Sequence, residues 1–262
     1  MLPVGAPFTP WAAGAALVVV MGFLVWRAVR RDRREYHLFK RYRSTVRRQR
    51  MLRKWLRESL ALLGGSALVL LGLSFAHVAP LLAAVERWPW MVWLRDQVTS
   101  GGSFVRGALI GAAIGVVVLV VWAVFWARTK NDDEGDGPAQ IDTLGDIAAL
   151  LPRNRAELKY GWGLSINAGV VEELLFRLAL PALLFAVWPN AVFAVVSLVL
   201  FAGMHAYQGL GGVLGTLVFG ALMMAVFLLT GSILWPIILH ALFDLRSLVL
   251  IPMVVQKVHR VV

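Results

Sequence analysis

Long apolar runs dominate the pattern of residues along the chain. About seven stretches are apolar over the roughly 20 residues that a helix needs to cross a bilayer. They lie at about residues 11–26, 60–85, 104–127, 160–187, 190–206, 211–229 and 233–255. The pattern predicts an all-α fold: a polytopic membrane helix bundle with about seven transmembrane helices, four of them forming a core at the C-terminal side.

Two polar segments interrupt this apolar pattern. A basic segment at residues 27–57 follows the first span, and a stretch rich in charge, Gly and Pro follows the third. We therefore divide the chain into three parts: an N-terminal membrane region at 1–130, a polar linker at 131–154 and a C-terminal membrane domain at 155–252.

Composition supports a membrane protein. The chain is 59% hydrophobic and only 16% charged, with a mean hydropathy of +0.73, whereas soluble domains are about 25% charged. Cys is absent, which excludes disulfides and a thiolate nucleophile.

The net charge of +11 is concentrated beside the first span. Fourteen of the 26 Lys and Arg residues lie between Arg27 and Arg57. A basic cluster in this place indicates a cytoplasmic loop that contacts anionic lipid and argues against nucleic acid as a partner. We expect a multi-pass protein of the cell membrane with its N-terminus outside and its C-terminus in the cytoplasm.

The basic segment itself is predicted to be a surface helix on anionic lipid. Its apolar contacts with the lipid would come from Tyr36, Leu38, Phe39, Tyr42 and Leu52. Docking of an acidic protein partner at the same segment is the alternative.

Full charges occur inside the fourth apolar span. Each charge at the centre of a membrane helix costs about 2.5–3.5 kcal/mol on insertion scales. Glu173 and Arg177 are four residues apart, so they share a helix face and are expected to form an ion pair. Glu172 lies about 100° around the helix without a local partner and is the candidate general base. A structural charge network between helices is the alternative.

The later spans add two histidines and an aspartate. In "FAGMHAYQG" His205 follows Phe201 by four residues, and in "HALFD" Asp244 follows His240 by four. Taken alone, His205 is typical of a packed or interfacial residue, whereas His240 and Asp244 inside a membrane helix indicate a function. A carboxylate and two imidazoles that converge can activate water and stabilise an oxyanion, which suits hydrolysis of an amide bond.

These motifs, in this order on neighbouring membrane helices, resemble the CPBP family, which comprises type II CAAX prenyl proteases and the Abi proteins of bacteriocin processing and self-immunity. The resemblance covers about residues 155–252 and rests on Glu172-Glu173-x-x-x-Arg177, Phe201-x-x-x-His205 and His240-x-x-x-Asp244. It implies an intramembrane endopeptidase that acts on a peptide or membrane-protein substrate. By the same resemblance Glu172 activates water with help from His205. His240 and Asp244 hold the oxyanion, and Glu173 and Arg177 are supporting charges.

Position 244 departs from the family pattern, because many members carry Asn there. An ionised Asp244 only accepts hydrogen bonds and repels a developing oxyanion. Asp244 is therefore protonated, or orients His240, or binds a metal. We expect a mechanism without metal or cofactor; the alternative is zinc, held by His205, His240, Asp244 and Glu172.

Two other functions fit a membrane helix bundle with internal charges. The first is a catalytically silent scaffold or bacteriocin-immunity-like binding protein of the same fold, which the departure at Asp244 keeps open. The second is a proton-coupled transporter, against which the missing internal repeat argues.

Overall fold

The computed structural model describes residues 9–99 and 145–261, together with Gly107. Within these ranges the chain is helical and contains no β-strand, which confirms the predicted all-α class. The predicted span at 104–127, apart from Gly107, and residues 131–144 of the predicted linker lie outside the described residues. The α-helices are α1 (Thr9–Trp26), α2 (Arg33–Lys40), α3 (Thr45–Glu58), α4 (Gly65–Ser74), α5 (Val78–Val85), α6 (Pro89–Thr99), α7 (Arg155–Glu173), α8 (Leu180–Val187), α9 (Val192–Met204), α10 (Gly209–Thr230), α11 (Leu234–Leu245) and α12 (Ile251–Val255).

Wider, π-helical turns join several of these helices end to end. In the described part of the chain they lie at Arg27–Asp32, Ser59–Gly64, Leu174–Ala179 and Arg246–Leu250. Pro181 and Pro252 follow the last two turns. Because proline has no N–H and its ring crowds the carbonyl four residues earlier, it disrupts the α-helical bonding at these two places. The α-helices on either side of each turn therefore run on as one longer helix with a local irregularity.

Four described helical stretches are long and apolar enough to cross a membrane: Trp11–Lys40, Thr45–Val85, Ala206–Thr230 and Leu234–Val255. Helix α9 is apolar but shorter. Large apolar side chains remain exposed on the outside of these helices, for example Val19, Leu68, Val218 and Leu242. Such a surface suits contact with lipid tails, and the arrangement fits the predicted polytopic membrane bundle.

The basic segment folds as a helical hairpin made of α2 and α3, and this hairpin packs on α7. Tyr36, Phe39 and Leu52 are buried in one cluster with Tyr160 of α7. The prediction that these three side chains contact lipid is therefore wrong: their apolar surface is buried against other parts of the protein. Leu38 is exposed and Tyr42 half-buried. Contact of anionic lipid with the exposed arginines of the segment stays a prediction.

A buried ion pair ties α3 to the start of α7. Asn154 caps α7, because its Oδ1 accepts the backbone N–H of Glu157 at 3.1 Å. The Nε atom of Arg48 on α3 lies 3.0 Å from each carboxylate oxygen of Glu157, and neither side chain is exposed. The N-terminal helices thus share a fully buried charge network with the part of the chain that carries the three motifs.

Candidate active site

A cavity of about 480 Å³ lies among the helices that carry the three motifs. Glu172, His205, His240 and Asp244 all line it, so the four predicted catalytic residues face one space. We call this space the central cavity. All four π-helical turns also contribute to its wall, through Arg27, Asp32, Ser59, Leu63, Phe176, Arg246, Ser247 and Leu248. Turns of this kind occur frequently at functional sites.

Glu172 and His205 face each other across part of this cavity. Glu172 Oε2 lies 3.9 Å from His205 Nε2. The other ring nitrogen of His205, Nδ1, lies 2.9 Å from the carbonyl oxygen of Phe201. Since a carbonyl oxygen only accepts, Nδ1 carries a hydrogen and donates it, and in the neutral ring Nε2 presents its lone pair towards Glu172. Glu172 Oε2 itself is buried and has no hydrogen-bond partner.

The second half of the site is a buried chain of three charged or titratable groups. Glu173 Oε1 accepts a hydrogen bond of 2.6 Å from His240 Nδ1. Glu173 Oε2 lies 3.2 Å from Arg177 Nε, which confirms the ion pair expected from their spacing. The chain Arg177–Glu173–His240 fixes the orientation of the His240 ring and directs its Nε2 to the cavity.

Asp244 stands on the other side of His240 but is not hydrogen-bonded to it. Its Oδ2 lies 3.8 Å from His240 Nε2, which is too long for a hydrogen bond. Asp244 therefore does not orient His240 through a hydrogen bond. Glu173 does so instead, because helix α11 places the Nδ1 side of the His240 ring against α7. Glu173, assigned from the sequence only a supporting charge on its own helix, thus also holds a ring on another helix.

Phe201, the first residue of the second motif, connects the two halves. Its buried ring lies 5.0 Å from the ring of His205 and 6.2 Å from that of His240, measured between centroids. The guanidinium carbon of Arg177 lies 4.0 Å from its centroid, a cation–π distance. The sequence indicated that Phe201 and His205 share a helix face but assigned Phe201 no role.

Close approach of α7 and α11 brings Glu173 and His240 together. A Cβ atom on Gly169 would stand 2.8 Å from the backbone nitrogen of Ala241, and one on Gly161 would stand 2.6 Å from the carbonyl oxygen of Leu248. Both glycines lie on the same face of α7, eight residues apart, with Ser165 midway between them. This small-xxx-small pattern permits close helix packing in membranes. These residues were not predicted from the sequence, although the pattern is visible in "GWGLSINAG".

Substitution of Gly169 tests this close approach. Because its added methyl group meets the Ala241 backbone, Gly169→Ala is expected to lower the free energy of unfolding by about 1–3 kcal/mol and to lengthen the Glu173–His240 contact. Gly203→Ala is the control, since a Cβ there meets nothing within 4 Å. Both variants are measured by chemical unfolding in detergent micelles. Equal stability of the two variants would contradict the role assigned to Gly169.

The zinc alternative, with His205, His240, Asp244 and Glu172 as ligands, stays a prediction. Among residues 9–99 and 145–261, no group of three or more His, Asp or Glu side chains is arranged to hold a metal ion. In both imidazoles Nδ1 is engaged by a protein acceptor, Phe201 for His205 and Glu173 for His240, and Nε2 is the nitrogen left for water, substrate or a metal.

Comparison with known proteins agrees with the motifs. Residues 155–246 match the protein family described as Type II CAAX prenyl endopeptidase Rce1-like. This match supports membership in the CPBP family for the part of the chain that carries all three motifs, and the matched family is one of endopeptidases. Searches among the curated proteins and the solved structures returned no significant match.

Proposed function

We propose that this chain is an intramembrane endopeptidase that hydrolyses a peptide bond with water activated by Glu172 and His205. One observation carries the proposal: Glu172 Oε2 is buried without a hydrogen-bond partner and lies 3.9 Å from His205 Nε2 in a cavity shared with His240. The match of residues 155–246 to an endopeptidase family supports it. The enzyme is a multi-pass protein of the cell membrane with its N-terminus outside and its C-terminus in the cytoplasm.

Water activation follows from the two acceptors. The carboxylate oxygen of Glu172 and the Nε2 lone pair of His205 stand at a separation that one bridging water molecule can span, donating a hydrogen to each. Glu172 takes a proton from this water while the water oxygen attacks the carbonyl carbon of the substrate. The protonated Glu172 then delivers that proton to the amine that leaves when the C–N bond breaks.

His240 stabilises the oxyanion of the tetrahedral intermediate. Its Nδ1–H is donated to the Glu173 carboxylate. Nε2 therefore carries a hydrogen, and can donate it to the oxyanion, only when the ring is an imidazolium. Carboxylates face both ring nitrogens, Glu173 at 2.6 Å and Asp244 at 3.8 Å, and stabilise that positive charge. In this proposal Asp244 acts through the charge of His240 and does not itself contact the oxyanion.

The variant Asp244→Asn tests the role of position 244. We expect it to retain kcat/KM within about 10-fold of the wild type, because Glu173 at 2.6 Å still stabilises the positive charge of His240, whereas Asp244 contributes from 3.8 Å. The measurement is the kcat/KM of the purified variant on one peptide that the wild type cleaves. A loss of 100-fold or more would mean that the charge of His240 depends chiefly on Asp244 and would contradict the secondary role proposed here.

The proposed function is tested by the cleavage of a quenched fluorescent peptide library. The full-length protein is purified in detergent and assayed with and without a chelator, and cleavage sites are identified by mass spectrometry. Cleavage that survives chelation supports the mechanism. Loss of cleavage on chelation, restored by zinc, would overturn it in favour of a metal site. No cleavage of a broad library by folded protein would overturn the enzyme in favour of a membrane scaffold.

A further inference from the structure

Arg27 is a buried cation at the wall of the central cavity whose hydrogen-bonding capacity is only partly used. It begins the π-helical turn Arg27–Asp32 and is 7% exposed. Its Nε atom donates to both carboxylate oxygens of Asp32, at 3.1 and 3.2 Å. The five-residue spacing of this pair suits the wider turn, whose i→i+5 bonding brings such residues towards one face. Its Nη1 atom is buried and has no hydrogen-bond partner.

A buried donor of this kind calls for an acceptor. Leaving a charged N–H group unpaired away from water costs more than leaving a neutral one, so each such group needs an explanation. In the described ranges the buried arginines with an unpartnered Nη1 atom are Arg27, Arg48 and Arg177. Arg27 is the one that lines the central cavity. An acceptor for its Nη1 atom can therefore come from a molecule in that cavity.

The turn that carries Arg27 packs beside the segment that follows His205. The turn Arg27–Asp32 packs against the short turn Ala206–Gln208, which directly follows His205. A molecule that reaches Glu172 and His205 thus lies in the cavity that Arg27 also lines. Arg27 belongs to the N-terminal helices, outside the matched segment 155–246.

A second unpartnered atom in the same wall favours a peptide over a lipid headgroup. Asn167 on α7 is buried, its Nδ2 donates to Ser59 Oγ at 2.7 Å, and its Oδ1 has no partner. A free amide oxygen accepts a hydrogen from an N–H or O–H group, which a peptide backbone offers at every residue except proline and an ionised phosphodiester does not offer. The arginines placed to meet lipid headgroups are exposed ones such as Arg30, Arg33 and Arg34.

We propose that Arg27, held by Asp32, is a specificity residue that binds a carboxylate of the peptide substrate in the central cavity. The carboxylate is either the C-terminus of the peptide or an acidic side chain near the cleaved bond. This inference rests on the proposed peptidase function. Guanidinium and carboxylate form strong charge-assisted hydrogen bonds, and Nη1 still has both of its hydrogens available for them.

The test compares matched peptides on matched variants. A peptide that the wild type cleaves is made with a free or an amidated C-terminus, and with Asp and Glu or with Asn and Gln side chains. We expect one acidic form to be preferred at least about 10-fold in kcat/KM, the factor expected for one charge-assisted hydrogen bond. The form that is preferred shows whether Arg27 binds the C-terminal carboxylate of the peptide or an acidic side chain. Arg27→Gln/Asp32→Asn removes both charges together and should reduce the preference to near unity, while Arg30→Gln should leave it unchanged.

Two further measurements separate the outcomes. Thermal unfolding in detergent shows whether each variant is folded. If the double variant is unfolded, Arg27→Lys takes its place: it keeps the charge but not the planar fork and should retain only part of the preference. Binding of the same peptides to the Glu172→Gln protein, by fluorescence anisotropy, requires no turnover. If the wild type cleaves no peptide of the library, acid preference in the binding of matched library peptides would overturn the peptidase but not the carboxylate site.

Cleavage without acid preference would overturn the carboxylate site and leave the peptidase intact. Binding of phosphatidylglycerol that depends on Arg27, seen by native mass spectrometry of the protein in neutral detergent, together with no acid preference, would assign the residue to a lipid headgroup and overturn the proposal.

Discussion

Replacing Glu172 by Gln is expected to lower kcat by about 10³-fold while the protein remains folded. A glutamine has nearly the same shape but cannot take a proton from water, and general acid–base catalysis contributes about 10²–10⁴-fold. Because Glu172 Oε2 makes no hydrogen bond within the described structure, the substitution removes no structural contact of that atom. Turnover is measured on a single cleaved peptide, and folding by the thermal unfolding temperature in detergent.

The neighbouring carboxylate provides the matched control. Glu173→Gln has the same change of charge one residue away, but Glu173 is fully buried between Arg177 and His240. We expect it to lower both stability and turnover, since it leaves a buried guanidinium without its counter-charge. Glu172→Gln should lower turnover alone. A Glu172→Gln protein that keeps more than a tenth of wild-type turnover would refute the assignment of Glu172 as the base.

The second large effect is expected at the buried pair of α3 and α7. Arg48→Met should lower the free energy of unfolding by about 3–5 kcal/mol, because it leaves the Glu157 carboxylate buried and uncompensated. Arg48 Nη2 also donates to the carbonyl oxygens of Ala149 and Leu151, at 3.0 and 3.1 Å, and these acceptors lose their donor. Unfolding is followed by helical circular dichroism as a denaturing detergent is added to mixed micelles.

Two comparison variants separate charge from volume and position. Arg48→Met/Glu157→Gln removes both charges and should recover at least half of the loss, since a buried ion pair can often be replaced as a unit at little cost. Arg47→Met changes the neighbouring exposed arginine and should alter stability by no more than about 0.5 kcal/mol. If Arg48→Met is as stable as Arg47→Met, the pair does not hold the N-terminal helices to α7.

The membrane class and the three motifs could be predicted from the sequence because both are local signals. Apolar length alone predicts the spans near 11–26, 60–85, 211–229 and 233–255, and each overlaps a helix long enough to cross a bilayer. The spacing of Glu173 and Arg177 within one helix likewise predicts their ion pair, because the 3.6-residue period relates such neighbours before any tertiary contact forms.

The partners of the basic segment could not be predicted in the same way. Amphipathic periodicity indicates that Tyr36, Phe39 and Leu52 share an apolar environment, but lipid and a protein neighbour satisfy the same pattern. The position of Tyr160 on α7, more than 100 residues along the chain, decides between them. Gly161 and Gly169 are a different case, because their spacing could have been noticed in the sequence. The sequence does not show which helix packs against them.

The apolar spans, the three motifs and the pairs formed within one helix follow from the sequence alone, because a fixed helical period relates residues that are close in the chain. The packed structure was needed to show that Glu173 orients His240, that Phe201 lies between both imidazoles and Arg177, and that Arg27 lines the central cavity. These contacts join residues on different helices. They depend on which glycine faces lie together and where π-helical turns shift the register, which are properties of the packed bundle.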